Sequence, residues 1–153
     1  MGQFLGTHAN RLDSKGRVSV PAAFRTTLAR LDTTELVLRP SHKWPCIEAW
    51  PEPAFREFAG RLDQFDAFSD EHDDLAIALF ADAQAATPDA EGRIVLNERL
   101  AEYAGLQAGK PVAFVGFGRI FLIWEPGLAQ QHLPQSVARA RERGLTVPRG
   151  ARP

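Results

Sequence analysis

Asp13-Ser14-Lys15-Gly16-Arg17 recurs as Asp89-Ala90-Glu91-Gly92-Arg93, and each copy runs straight into a short apolar segment. The two aspartates lie at an offset of 76 residues, and the match continues through Val18/Ile94, Val20/Leu96 and Phe24/Leu100. A second landmark repeats further on. Cys46-Ile47-Glu48-Ala49-Trp50-Pro51 lines up with Ile120-Phe121-Leu122-Ile123-Trp124-Glu125 at an offset of 74, so two residues are missing inside the second copy. Such a duplication decides the architecture before any motif is read. Units of about 60 residues are marginal alone, so the two copies are expected to share one core.

The bulk composition suits a folded, soluble chain. Of 153 residues, 44% are hydrophobic and 24% charged, which argues against disorder over most of the length. Cys46 is the single cysteine and has no internal partner for a bridge. With no signal-peptide apolar segment at the start and no apolar run near the length of a membrane span, a cytosolic protein without membrane contact is expected. The net charge of −1 gives no global argument for nucleic acid, so the distribution of charge matters. It is uneven. Arg11, Lys15, Arg17, Arg25, Arg30, Arg39 and Lys43 face only Asp13, Asp32 and Glu35 in the first part of the chain. Asp63, Asp66, Asp70, Glu71, Asp73 and Asp74 cluster before the second copy, and Arg139, Arg141, Arg143, Arg149 and Arg152 load the C-terminal segment.

Each copy reads as strand, turn, strand, short helix, hairpin and closing helix. Asp13 to Gly16 is turn chemistry, because an Asp side chain bonds its own downstream backbone and Gly accepts positive φ. A strand from Arg17 to Val20 follows, then Pro21 opens a helix carrying Phe24, Leu28 and Leu31 on one face. Strands are expected over Glu35 to Arg39 and Cys46 to Trp50, followed by an amphipathic helix with Phe55, Phe58, Leu62 and Phe65 at helical spacing. Leu75 to Ala81 is expected to form a helix linking the copies. In the second copy a helix from Glu98 to Ala104 stops at Gly105, and Pro111 to Val115 pairs with Ile120 to Trp124 across Gly116-Phe117-Gly118-Arg119. The closing helix is expected to start near Leu128, break at Pro134 and resume as a basic segment, with a disordered tail beyond Thr146. The domain reading is therefore a first repeat over 5–52, linking helices over 53–86, a second repeat over 87–130, and a C-terminal helix with a basic tail over 131–153. The fold class is mainly β with flanking helices, α+β, the two repeats closing into one pseudo-symmetric barrel.

Phe4-x-Gly6, Leu12-Asp13-x-Lys15-Gly16-Arg17-x-Ser19-x-Pro21-x-x-Phe24-Arg25 and the second Asp89-x-x-Gly92-Arg93 resemble the MraZ family of bacterial transcriptional regulators, within the AbrB-like (SpoVT-AbrB) superfamily. The resemblance runs from Phe4 through the closing helix. It implies a swapped-hairpin barrel, a homo-oligomeric ring of protomers, and binding to double-stranded DNA. The DNA implied is a set of promoter repeats upstream of the protein's own cell-division and cell-wall operon, which places the protein in the cytoplasm at the nucleoid. The chain departs from the family in its acidic run from Asp63 to Asp74, where members often carry basic residues. It has Asn10 where His is frequent, and Arg11 where a small or polar residue is common.

Lys15 and Arg17 flank Gly16 on a turn whose backbone can approach a phosphate closely. Arg offers two parallel donors to guanine O6 and N7, whereas Lys supplies a point charge, so Arg17 is read as a base contact and Lys15 as a phosphate contact. Arg11, two residues from the turn, is the third DNA-binding candidate. Arg17 also has a structural reading, as the partner of Asp13 that clips the turn, and the two roles are compatible. Asp13, Gly16, Asp89, Gly92 and Arg93 are read as structural turn residues. Glu91 replaces Lys15 in the second copy and would repel phosphate, so the front copy is expected to face DNA. Arg25 and Arg39 are weaker candidates for a phosphate face, and the basic tail and acidic run read first as solvated surfaces.

No enzyme motif emerges. Gly116-x-Gly118 lacks the third Gly and sits in a hairpin, the four histidines have no metal-ligand spacing, and Cys46 in an apolar strand reads as core. No catalytic residue, metal or cofactor is assigned. The alternative to DNA binding is a protein-interaction module on the same scaffold, with the acidic segment as its contact surface.

Overall fold

The computed structural model describes residues 2–150. Its first repeat contains β1 (Thr7–Arg11), β2 (Arg17–Ser19), α1 (Ala22–Arg30), β3 (Leu36–Pro40) and β4 (Ile47–Pro51). An arm follows, made of α2 (Glu52–Ala59), a 3-10 segment (Gly60–Gln64) and α3 (Asp70–Phe80). The second repeat supplies β5 (Gln84–Ala86), β6 (Arg93–Val95), α4 (Glu98–Tyr103), β7 (Pro111–Phe117), β8 (Ile120–Trp124) and α5 (Pro126–Glu142).

The repeats interleave. The main sheet has the order β1-β7-β8-β4-β3-β5, all neighbours antiparallel, so the first strand of each copy pairs with the hairpin of the other. The order is palindromic under exchange of the copies. Glu48 lies opposite Leu122, and Val18 lies opposite Ile94. These are repeat equivalents of each other, at the offsets of 74 and 76 read from the sequence. A pseudo-two-fold axis therefore passes through both pairs.

The expected barrel does not close. The six-stranded sheet is open, with β1 and β5 as its edges. Each Asp-x-x-Gly-Arg turn carries the chain off the sheet into β2 or β6, and these two strands pair with each other as a separate ribbon. That ribbon is fastened at both ends by Val20 N–H donating to Gly92 O at 2.8 Å and Leu96 N–H donating to Gly16 O at 2.8 Å. Backbone groups that would have closed the barrel are thus satisfied within the ribbon.

One core lies between ribbon, helices and the inner sheet face. Phe24 packs against Phe4 at 5.3 Å and Phe121 at 4.9 Å between ring centroids. Val18, Ile94, Leu38, Leu100, Val112 and Phe114 surround them, all buried. Each such side chain contributes about 1.5–3 kcal/mol by leaving water. A second cluster on the outer face joins Cys46, Val115, Leu122 and Trp124 to Ala129 of α5. Burial drives the Cys46 thiol up to about 12, which fits its reading as core.

Three details differ from the sequence reading. The helix expected to carry Phe55 through Phe65 ends at Ala59 and continues as the 3-10 segment, which buries Leu62 but leaves Phe65 40% exposed. β7 runs two residues further than Val115, so Gly116 and Phe117 pair with Phe121 and Ile120 and only Gly118-Arg119 turn the chain. Gly116 is required there because a Cβ would fall 2.5 Å from Phe4 O and 2.7 Å from Leu5 N. α5 is continuous through Pro134. Ala129 and Leu133 pack into the outer cluster on the turn before it, and His132 lies 5.0 Å from Trp124, which offsets the one hydrogen bond Pro134 removes. Leu145 to Gly150 carry no regular secondary structure, and Arg152 of the expected tail lies outside the described residues. Among the described residues no helix is long and apolar enough to cross a membrane.

Candidate functional site

The two repeated turns share one construction. Asp13 Oδ1 accepts from the backbone N–H of Lys15 at 2.8 Å and of Arg17 at 2.9 Å, and Asp13 Oδ2 accepts from Arg17 Nε at 2.7 Å. Asp89 repeats this with Glu91 N at 2.9 Å, Arg93 N at 3.0 Å and Arg93 Nε at 3.0 Å. Gly16 and Gly92 close the turns at φ +78° and +80°, the left-handed region where a Cβ is unfavourable. The backbone N–H of Arg17 is the main cause that holds the Asp13 carboxyl below the usual range, and that of Arg93 does the same for Asp89. A carboxylate with several N–H donors and a guanidinium makes each turn a rigid tip.

Rigidity is shared and the two arginine side chains are about equally exposed, at 32% and 29%, but their partners differ. Arg17 spends only Nε on Asp13, and neither of its Nη atoms has a hydrogen-bond partner among the described residues. Lys15 beside it is exposed. In the rear turn Glu91 Oε2 reaches Arg93 Nη2 at 3.1 Å, tying up a second edge of that guanidinium. Arg25 of α1 also lies over the rear turn. A Cβ built on Gly92 would sit 2.6 Å from Arg25 Cδ and 2.8 Å from its Nη1, and Arg25 Nε donates to Val20 O at 3.1 Å. Over Gly16 the only atom so close is Leu96 O, at 3.1 Å. The repeat equivalent of Arg25 is Ala101, which leaves the front turn uncovered.

Strand alternation fixes what the ribbon presents. Val18 and Ile94 point into the core, so Arg17, Ser19, Arg93 and Val95 lie on the opposite face. Arg17 pairs with Val95 and Ser19 with Arg93, which makes the two arginines diagonal neighbours on that face. Asn10 Nδ2 donates to Ser19 O at 2.7 Å, fastening β2 to β1. Gln84 does the same for β6 through Val95 O at 2.7 Å.

The other sequence candidates separate clearly. Arg11 is exposed, with Nη1 donating to Gly109 O in the loop before β7. Arg39 is not on a phosphate face, since it is buried to 3% exposure and pairs with Glu48 at 2.8 Å on the outer side of the sheet under the α2–α3 arm. Alternation along β3 puts Leu36 and Leu38 inward and Arg39 on the other side. The position of Arg25 over Gly92 is the feature linear reading misses. Repeat alignment sets Arg25 against Ala101, but only interleaving brings α1 of one copy over the turn of the other.

An interleaved pair of β repeats, carrying two Asp-braced turns on one outward ribbon with the front turn open and basic, defines the class. The MraZ protein family model, described as antitoxin-like, matches twice, over residues 3–76 and 79–142. The chain belongs to the MraZ family. It is 53% identical over 151 residues to a protein of Gluconacetobacter diazotrophicus named "Transcriptional regulator MraZ", covering 97% of this chain and 93% of that one. A Gluconobacter oxydans protein of the same name is 47% identical, over 97% of this chain and 90% of its own. One from Rickettsia akari is 32% identical, over 96% and 97%.

Proposed function

We propose that the protein is a transcriptional regulator that binds double-stranded DNA sequence-specifically through the front turn. Arg17 reads a base edge, and Lys15 and Arg11 hold backbone phosphates. The observation that carries this reading is the contrast between the two guanidiniums. Arg17 is oriented by Asp13 through Nε while its Nη pair stays available, and Arg93 is tied by both Asp89 and Glu91. A two-stranded ribbon is a shape the major groove admits, and a fixed guanidinium on its outer face suits the O6/N7 edge of guanine. The printed names of the relatives support the regulatory role.

A single tip with one braced arginine gives modest affinity, and the chain carries a net charge of −1. Several protomers assembled in a ring would engage consecutive boxes upstream of the protein's own cell-division and cell-wall operon, and effective concentration would supply the rest. The protein then works in the cytoplasm, at the nucleoid. Fluorescence anisotropy on DNA upstream of its own gene tests this. Arg17→Ala should weaken specific binding by roughly 5- to 150-fold per engaged subunit, the equivalent of 1–3 kcal/mol for a bidentate base contact. Equal affinity of Arg17→Ala and wild type would defeat the assignment. The second reading, an interaction module without DNA recognition, is favoured by the exposed acidic and apolar surface of α3, and absence of any DNA binding at low salt would leave it standing.

A further inference from the structure

The arm between the repeats carries apolar side chains that the described residues leave largely exposed, with Phe80 meeting the edge of Phe55. Phe68 is 89% exposed, Ile77 66% and Phe80 48%. Phe68 also holds φ at +65°, an uncommon conformation for an aromatic residue. Along the outer side of α3, Asp70 and Asp73 precede Ile77 and Phe80 at helical spacing, so the stripe is acidic in its first half and apolar in its second.

α5 presents the reverse. Its inner side is packed through Ala129 and Leu133, but from Gln135 onward the helix is mostly exposed. There Val137, 52% exposed, precedes Arg141 by one turn on the same side of the helix. No ion pair among the described residues joins an acid of α3 to an arginine of α5. Complementarity that is unspent within one chain is available between two.

We propose that the outer face of α3 is the docking surface for the C-terminal half of α5 of a second copy of this chain. Packed antiparallel, the helices bring Ile77 beside Val137 and Asp73 beside Arg141, because over four residues the α3 stripe steps from charged to apolar and the α5 stripe from apolar to charged. The helix dipoles then oppose each other, and each charged cluster sits at the helix end that favours its sign. The contact joins two different surfaces of the same chain, so repetition extends it from protomer to protomer and closes a ring if the rotation allows. It rests on the assembly proposed above and names the surfaces that make it.

Reciprocal substitutions test it on the full chain by size-exclusion chromatography with light scattering, with circular dichroism confirming that each variant is folded. Asp73→Lys in one protein, and Arg141→Glu in another, should each shift the assembly midpoint at least tenfold in concentration. Mixing the two should restore assembly, since every contact in the mixture again pairs opposite signs. Ile77→Lys and Val137→Glu, at exposed positions away from the helix caps, form a second reciprocal pair with the same expectation. Folded variants that assemble alone like wild type, or that fail to assemble when mixed, overturn the contact and leave the assembly reading intact. A wild-type chain that stays monomeric at every concentration and salt overturns both.

Discussion

Arg25 lies across Gly92 while its repeat equivalent, Ala101, does not reach Gly16, so the two copies of one turn have diverged in which side chain covers them. A Cβ on Gly92 would fall 2.6 Å from Arg25 Cδ, and one on Gly16 would meet only Leu96 O, at 3.1 Å. The two obstacles differ in kind, because a side chain can swing away and a backbone carbonyl, held here by the Leu96 N–H to Gly16 O bond, cannot.

Gly16→Ala and Gly92→Ala should therefore both destabilise the fold. Left-handed φ alone costs about 1–2 kcal/mol for a residue with a Cβ. Adding Arg25→Ala should recover part of the Gly92→Ala loss and none of the Gly16→Ala loss. Urea unfolding of the two double-mutant cycles measures this, and equal coupling in both would show that Arg25 does not bear on the rear turn.

The acid range offers a second handle. Donors from the backbone hold the Asp13 and Asp89 carboxyls below their ordinary values in the folded state. An unfolded-state carboxyl titrates near 3.9, so this stabilisation is complete above that value and is lost as pH falls toward the lower folded values. The melting temperature of wild type should accordingly drop as pH falls below about 4. Asp13→Asn with Asp89→Asn should lower the melting temperature at neutral pH and flatten the acid drop. An unchanged slope in the double variant would mean other carboxylates dominate.

How much of this was legible in the chain depends on distance. The Asp-x-x-Gly-Arg repeat and its offset of 76 announce two related units and a shared core, and the axis pairs Val18–Ile94 and Glu48–Leu122 are those same offsets realised in space. Closure was not legible, because an open and a closed sheet use the same alternation and differ only in where β2 and β6 leave it. Arg25 over Gly92 was invisible for a related reason, since the residues touch only once the copies have interleaved. Arg39 looked like a surface cation because nothing local tells a half-solvated strand from one roofed by a later helix.

Charge exchange between the tips separates recognition from scaffold. Lys15→Glu puts the rear residue in the front turn and should lower DNA affinity and reduce the salt slope by about one unit per engaged subunit. Glu91→Lys removes the carboxylate that holds Arg93 Nη2, 3.1 Å away, and gives the ribbon a second basic tip. Affinity and salt slope should both rise. Anisotropy titrations across salt concentration read both changes, and a Lys15→Glu protein that binds like wild type would remove the front turn from the interface.

The Arg39–Glu48 pair offers the last test, because its burial makes the two partners unequal to their sum. Arg39 is 3% exposed, its Nη1 lies 2.8 Å from Glu48 Oε1, and its Nε is buried without a partner. Trp50 Nε1 donates to the same carboxylate oxygen at 3.0 Å. Glu48→Ala leaves a buried guanidinium with only the neutral His42 Nε2 on Nη2 and no counter-charge, and should cost about 3–5 kcal/mol, whereas replacing both charges with apolar residues removes the desolvation penalty with the attraction. Arg39→Met with Glu48→Leu should therefore be more stable than Glu48→Ala alone. Chemical denaturation of the three proteins decides it, and a double variant as weak as the single one would show that the pair contributes net stability at the centre of the sheet.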